Sequence, residues 1–176
     1  MNDQHLPGEV RAAVANAWQP DAAAANLDRW LSMCKREGWG DCPDNLPLLV
    51  QLFGASWYFT RLVFFRGPEI ARYCDAPAFT GTSTAALLGE LAAVDAGGDL
   101  EQRFDHLRLA KNEQMLRMVL SWLQGHLDQQ HLEQALTCLA EASLQRAMGL
   151  LWQEEDRKSP RLNSSHMSES RMPSSA

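Results

Sequence analysis

The chain predicts an all-α fold, an array of about six to seven helices. Strand signals are poor, because β-branched residues are few and no run alternates cleanly between apolar and polar. Apolar residues instead recur at steps of three and four. Gly, Pro, Ser, Asp and Asn fall between these periodic stretches, where helix caps and stops belong.

The elements follow in order. Asp21, after Pro20, can cap a helix through "AAAANLDRWLSMCKRE" that Gly38 stops, with Leu27, Trp30, Leu31 and Cys34 as its buried stripe. After the turn-rich "GWGDCPDNLP", Asn45 and Pro47 open a short helix through Leu48, Leu49 and Leu52, ending at Gly54. Ser56 caps "WYFTRLVFFRG", which closes at Gly67, and Pro68 takes a first helical position for "PEIARYC". The loop "DAPAFTGTS" leads to a helix from Thr84 to Val94. Asp99 and Gln102 then form a capping-box pattern for the longest helix, about Leu100 to Leu123, with Phe104, Leu107, Met115, Met118 and Trp122 as buried positions. Gly125 and Asp128 precede a last helix whose core stripe is Leu132, Leu136, Leu139, Ser143, Ala147 and Leu150.

The closing stretch, "DRKSPRLNSSHMSESRMPSSA", has a different character. Its large apolar residues Leu162, Met167 and Met172 follow no period, so it predicts disorder. It also resembles a translated sequencing adapter: adapter codons GAT CGG AAG AGC would read Asp-Arg-Lys-Ser, matching Asp156 to Ser159, with Pro160 standing where the usual read-through has threonine. The expected organisation is therefore a natural helical region, 1–155, cut short by the end of a read, and a non-native tail, 156–176. A truncated helical array should expose an apolar face.

The net charge is −6, and near −8 once that tail is set aside, which argues against a general binder of nucleic acid or of an anionic membrane. Cys34, Cys42, Cys74 and Cys138 contain no CxxC pair, so a zinc ribbon or thioredoxin-type site is not expected. No signal peptide is read in "MNDQHLPGEVRAAVANAW", and reduced thiols in a cytoplasmic protein are the expectation. The longest apolar candidate, Leu46 to Phe65, is interrupted by Gln51, Gly54, Ser56 and Arg61, short of the ~20 residues that span a bilayer.

Signs of chemistry are sparse. "GTSTAALLGE" lacks the lysine and second glycine of a phosphate loop and reads as a Ser/Thr cap. His126 and His131 are wrongly spaced for two ligands on one helix face. Arg103, Arg108, Lys111 and Arg117 make the long helix basic. They suit phosphate groups, a nucleotide or a partner's acidic face, or else form a solvated surface paired to Asp105 or Glu113. No catalytic, cofactor-binding or metal-ligating set of residues emerges.

Two stretches resemble the amino-terminal region of glutamine synthetase adenylyltransferases, also called adenylyl-removing enzymes. In "LPLLVQLFGASWYFTRLVFFRGPEIARY", Gly54, Ala55 and Ser56 supply a small-residue break, and Arg66, Gly67, Pro68 and Glu69 supply a turn. In "LRLAKNEQMLRMVLSWLQGHLDQQHLEQALTCLAEASLQRAM", Arg108 and Arg117 lie on the basic helix, and Leu139, Ala140 and Glu141 form the following "LAE" segment. Lys111 and Asn112 stand where the family often carries arginines, and Cys138 replaces a small or polar neighbour. The resemblance implies a parent enzyme that moves AMP from ATP to a tyrosine of glutamine synthetase and removes it by phosphorolysis, under a PII-type signalling protein. ATP and Mg2+ would serve that parent at a glycine-rich turn and an Asp-x-Asp pair downstream of the "LAE" helix. Neither motif occurs in 1–155. The chain itself is thus expected to be a helical, inactive fragment that holds no cofactor. The reading from another class is a non-catalytic helical interaction or regulatory domain.

Overall fold

Pro7 and Gly8 start the first helix of the chain, seen in a computed structural model that describes residues 6–39, 45–74, 83–95 and 97–158. This α1 (Gly8–Ala15) was not expected, because Val10 is its one fully buried side chain and a single residue makes no stripe. In α2 (Pro20–Glu37) the helix begins one residue before Asp21. Pro20 needs no hydrogen-bond partner at a first helical position, so Asp21 lies inside the first turn, where its charge favours the helix dipole, instead of capping. Gly38 adopts the left-handed conformation at φ 66°. The Trp39 N–H then reaches the Cys34 carbonyl at 3.0 Å, and the Trp39 ring folds back to 5.7 Å from Trp30.

The third helix, α3 (Leu46–Ala55), is buried on nearly every side and is the middle of the first core. It runs one residue past Gly54. There the break is Ser56 alone, extended at φ −152°, whose Oγ accepts the Phe59 N–H to cap α4 (Trp57–Arg66). Gly54 serves packing instead: a Cβ there would stand 2.8 Å from the Ala17 Cβ. Asn26 Nδ2 donates to the Phe53 carbonyl at 3.2 Å and ties α2 to α3.

Gly67 closes α4 at φ 55° and opens a 3-10 turn, Gly67–Glu69, before α5 (Ile70–Cys74). Pro68 therefore sits in that tight turn, not at the first position of one continuous helix. Cys42 and the residues of "DAPAFTGT" lie outside the described residues.

The second half comprises α6 (Thr84–Ala93), α7 (Leu100–Leu123) and α8 (Gln129–Lys158). Ser83 Oγ accepts the Ala86 N–H, so this serine is the cap that its sequence context suggested. Both halves of the capping box are formed: Asp99 Oδ1 accepts the Gln102 N–H at 2.8 Å, and Gln102 Oε1 accepts the Asp99 N–H at 3.2 Å. Helix α8 continues through Asp156 and Arg157 to Lys158, past the boundary expected at Glu155, and Arg157 pairs with Glu154 one turn back. Residues 159–176 lie outside the described residues.

Among the described residues two apolar clusters form the core. The first joins α1 to α5 around Trp30, whose ring meets Phe53 at 6.3 Å and Phe64, edge-on, at 5.5 Å. The second joins α6, α7 and α8 through Leu87, Leu91, Met118, Leu132, Leu139 and Leu150. Helix α7 enters both. Leu116 and Leu120 face the first cluster, while Leu107 and Met118, with Phe104 and Met115 beside them, face the second. At about 100° per residue these two sets lie on opposite sides of the helix. The single stripe read from the sequence is thus one of two. Trp122, expected inside, is 38% exposed in the last turn of α7, where little chain remains to wrap an indole. In α8, Leu132, Leu139 and Leu150 are buried as expected, joined by Ala135 and Ala142, while Leu136, Ser143 and Ala147 are half-buried.

An ionic joint locks the second half. Asp95, just beyond α6, receives Arg103 of α7 through Nε at 3.0 Å and Nη2 at 2.8 Å, and also the guanidinium of Arg146 from α8. The Gly97 N–H adds a third donor at 3.1 Å. The Arg103 hydrogen bonds outweigh burial, and with the Gly97 N–H and both guanidinium charges they hold the Asp95 carboxyl down at about 2. Among the described residues no helix is long and apolar enough to cross a membrane.

Two outcomes follow from these joints. A Cβ on Gly67 would meet the Trp39 ring at 2.7 Å, in a backbone region that side chains avoid. Gly67→Ala should lower unfolding free energy by about 2–4 kcal/mol, against about 1 kcal/mol for Gly38→Ala, which faces open space. Urea denaturation of both variants checks this, and equal losses would show that Trp39 does not constrain the turn. Asp95 is ionised more readily folded than unfolded, so its contribution is present above pH 4 and fades as pH falls toward 2. Asp95→Asn should cost about 2 kcal/mol at pH 7 and flatten the stability loss between pH 4 and pH 2. An unchanged acid limb in the variant would refute the joint.

Candidate functional site

The surface that gathers the most chemistry is a groove of about 450 Å³ between α4 and α7. Its floor is Leu62 and Leu109, and its far end is narrowed by the ion pair of Arg66 and Glu113 at 3.0 Å. The Tyr58 hydroxyl donates to Asn112 Oδ1 at 2.7 Å across the groove. On α4, residues 58, 61, 62 and 65 share a face because they repeat at helical steps, and on α7 residues 108, 109 and 112 do the same. Three cations line it: Arg61, Arg108 and Lys111. Arg61 lies over the Trp57 ring at 4.8 Å, and Arg108 is steadied by Asp105 at 3.0 Å. Burial raises the Tyr58 hydroxyl pKa against the opposing charge of Arg108.

Beside the groove, Arg66 gathers a second group. It pairs with Glu113 and, at 3.7 Å, with Glu69, and it lies over the Tyr73 ring at 5.9 Å. Burial first, then a hydrogen bond to Glu113, push the Tyr73 hydroxyl up to about 12, which keeps it neutral at ordinary pH. This group ties the turn after α4 to α7 and holds one wall of the groove.

The structure divides the four cations read from the long helix. Arg108 and Lys111 line the groove together. Arg103 is turned to the Asp95 joint, where it also donates to Gln153 Oε1 at 2.8 Å, so its charge is spent inside the fold. Arg117 donates to Gln114 Oε1 at 3.3 Å and does not line the groove. Among the family-like positions, Gly54 and Ser56 shape the α3–α4 break, and Pro68 and Glu69 form the 3-10 turn. Leu139 is in the second core, Ala140 is exposed, and Glu141 accepts the Thr84 hydroxyl at 2.8 Å, joining α8 to the start of α6.

Sequence reasoning missed Tyr58, Arg61 and Asn112. The signal available was the Trp57 to Arg61 spacing of four, which sets a cation over a ring on one helix face. It also missed Asp95 and Arg146, whose meeting with Arg103 depends on tertiary packing alone. His131 turns to Asp128, with its Nδ1 at 2.8 Å, and His126 is exposed. Among the described residues no group of three His, Cys, Asp or Glu side chains is placed to hold a metal ion. An apolar face is exposed on the outer side of α8, where Leu144, Met148, Leu151 and Trp152 follow helical steps.

Comparison with known proteins gives one finding and two blanks. No curated protein and no solved structure matches the chain. The family model described as glutamate-ammonia ligase adenylyltransferase matches residues 46–172, which takes in α3 to α8, both halves of the groove and both stretches that carried the resemblance. That range is well over half of the 176 residues, and the chain belongs to the glutamate-ammonia ligase adenylyltransferase family.

Proposed function

We propose that the chain is the amino-terminal helical part of an enzyme that transfers AMP from ATP to a tyrosine of glutamine synthetase and removes it again by phosphorolysis. The family match over residues 46–172 is the observation that carries this reading. The chemistry that this transfer demands is specific: carboxylates that hold Mg2+ against the phosphates and align an in-line displacement. The sequence 1–155 contains no Asp-x-Asp and no glycine-rich catalytic turn, so the proposal places those ligands, with ATP and Mg2+, in residues beyond this helical part. The helices then act as a rigid platform. A PII-type signalling protein as regulator, and a cytoplasmic setting for nitrogen control, belong to the same proposal.

A non-catalytic interaction module is the second reading, favoured by the exposed apolar face of α8 and the basic groove. One experiment separates the two. The encoding gene is sequenced in its native locus past the codon for Glu155, and the protein so encoded is incubated with glutamine synthetase, Mg2+ and labelled ATP. A glycine-rich turn with Asp-x-Asp within about 50 residues, followed by transfer of label to glutamine synthetase, is the expected outcome. A stop codon there, or continued helical repeats with no transfer, would contradict the proposal. The 176-residue chain alone should transfer no label.

A further inference from the structure

The α4–α7 groove has a lining that contrasts with the rest of the molecule. The chain carries a net charge of −6, yet Arg61, Arg108 and Lys111 line the groove, and the carboxylates nearest it, Glu113 at its far end and Asp105, are paired with Arg66 and Arg108. The same edge exposes aromatic surface: Trp57 is 71% exposed, Phe65 69% and Tyr58 39%. Exposed aromatic rings beside arginines are the composition of protein interfaces, where the rings supply contact area and the guanidinium groups supply direction.

We propose that this groove docks an acidic peptide segment of a partner protein, with an aromatic or leucine side chain flanked by carboxylates. The apolar side chain would rest on Leu62 and Leu109 beside Phe65, while the carboxylates accept from Arg61, Arg108 and Lys111. Charge complementarity favours such a partner, because three cations meet at this groove on a chain whose net charge is −6. A free nucleotide suits the groove less well. On α7 its lining residues are mid-helix, with their backbone N–H groups committed to the helix, and on α4 only the lining residue Tyr58 lies in the first turn, where Ser56 Oγ already caps the Phe59 N–H. The cations are also held apart on two helices, one over Trp57 and one beside Asp105.

This proposal is independent of AMP transfer, since it is read by peptide binding to the full chain alone. The probe is a fluorescein-labelled synthetic peptide of glutamates around one phenylalanine and one leucine, followed by fluorescence polarisation. Binding should weaken about 30-fold or more in Arg61→Glu/Lys111→Glu and about 5–10-fold in Phe65→Ser. It should also weaken as salt rises from 50 to 300 mM. Both variants alter exposed or groove-lining side chains, and a thermal melt confirms that they fold. Binding that survives the double charge reversal would overturn the proposal. So would equal binding of a peptide with both apolar residues changed to serine, or displacement by inorganic triphosphate at concentrations equal to the peptide, which would make the groove a phosphate site. Self-association of the chain in sedimentation that Lys111→Glu abolishes would assign the groove to a second copy, whose acidic Trp152 to Asp156 segment carries similar chemistry, and would equally overturn it.

Discussion

Everything in this fold depends on a helix that is apolar on two opposite sides. Helix α7 sends Leu116 and Leu120 into the cluster around Trp30 and Met118 and Leu107 into the cluster under α8. A surface helix needs one stripe, and a helix with two must lie between layers. The capping box at Asp99 and Gln102 secures one end of this shared helix. Toward the other, Gln124 Nε2 donates to the Cys74 carbonyl at 2.9 Å and joins it to α5. Without α7 each cluster would have an open side, and the apolar area so exposed is what holds the halves together.

The polar flanks of α7 follow from that placement. Between those two sides Arg108 and Asn112 point toward α4 and, with Lys111 and Leu109, become the groove wall. Toward the amino-terminal end Arg103 turns inward to Asp95, and this ionic joint replaces apolar contact where α6, α7 and α8 converge. A carboxylate between two guanidinium groups, with a backbone N–H added, has its donors and acceptors matched, which is the condition under which a little-exposed ion pair supports a fold. The groove is thus a by-product of the same geometry. It is where two packed helices diverge, and its chemistry is set by whichever α7 side chains neither cluster consumes.

Local signals were legible in the sequence and tertiary ones were not. Caps and stops are short-range chemistry, so Ser56, Ser83, the Asp99–Gln102 pair, Gly38 and Gly67 all stand where the sequence places them, and α7 begins and ends as read. The second stripe of α7 escaped because two opposed stripes cancel in any search for one apolar face. Helix α1 escaped because its alanines form helix without marking a side. Gly54 read as a stop because a glycine near a helix end usually is one. Its true constraint, the approach of Ala17, comes from a residue far away in the chain. Of the four α7 cations, spacing revealed that they were exceptional, but which ones reach the groove depends on the neighbours of each edge.

Native-state hydrogen exchange of the full chain tests the shared-helix account most directly. Leu116 touches the first cluster only, so Leu116→Ala removes contacts from that side alone, at a cost of about 2–5 kcal/mol. If α7 couples the two clusters, the variant should speed exchange in α6 and α8 by the same factor as in α2 and α3, with the wild-type amides of Met115 to Leu120 the slowest in the chain. Acceleration confined to α2, α3 and α4, with α6 and α8 unchanged, would show two independent units and contradict the account.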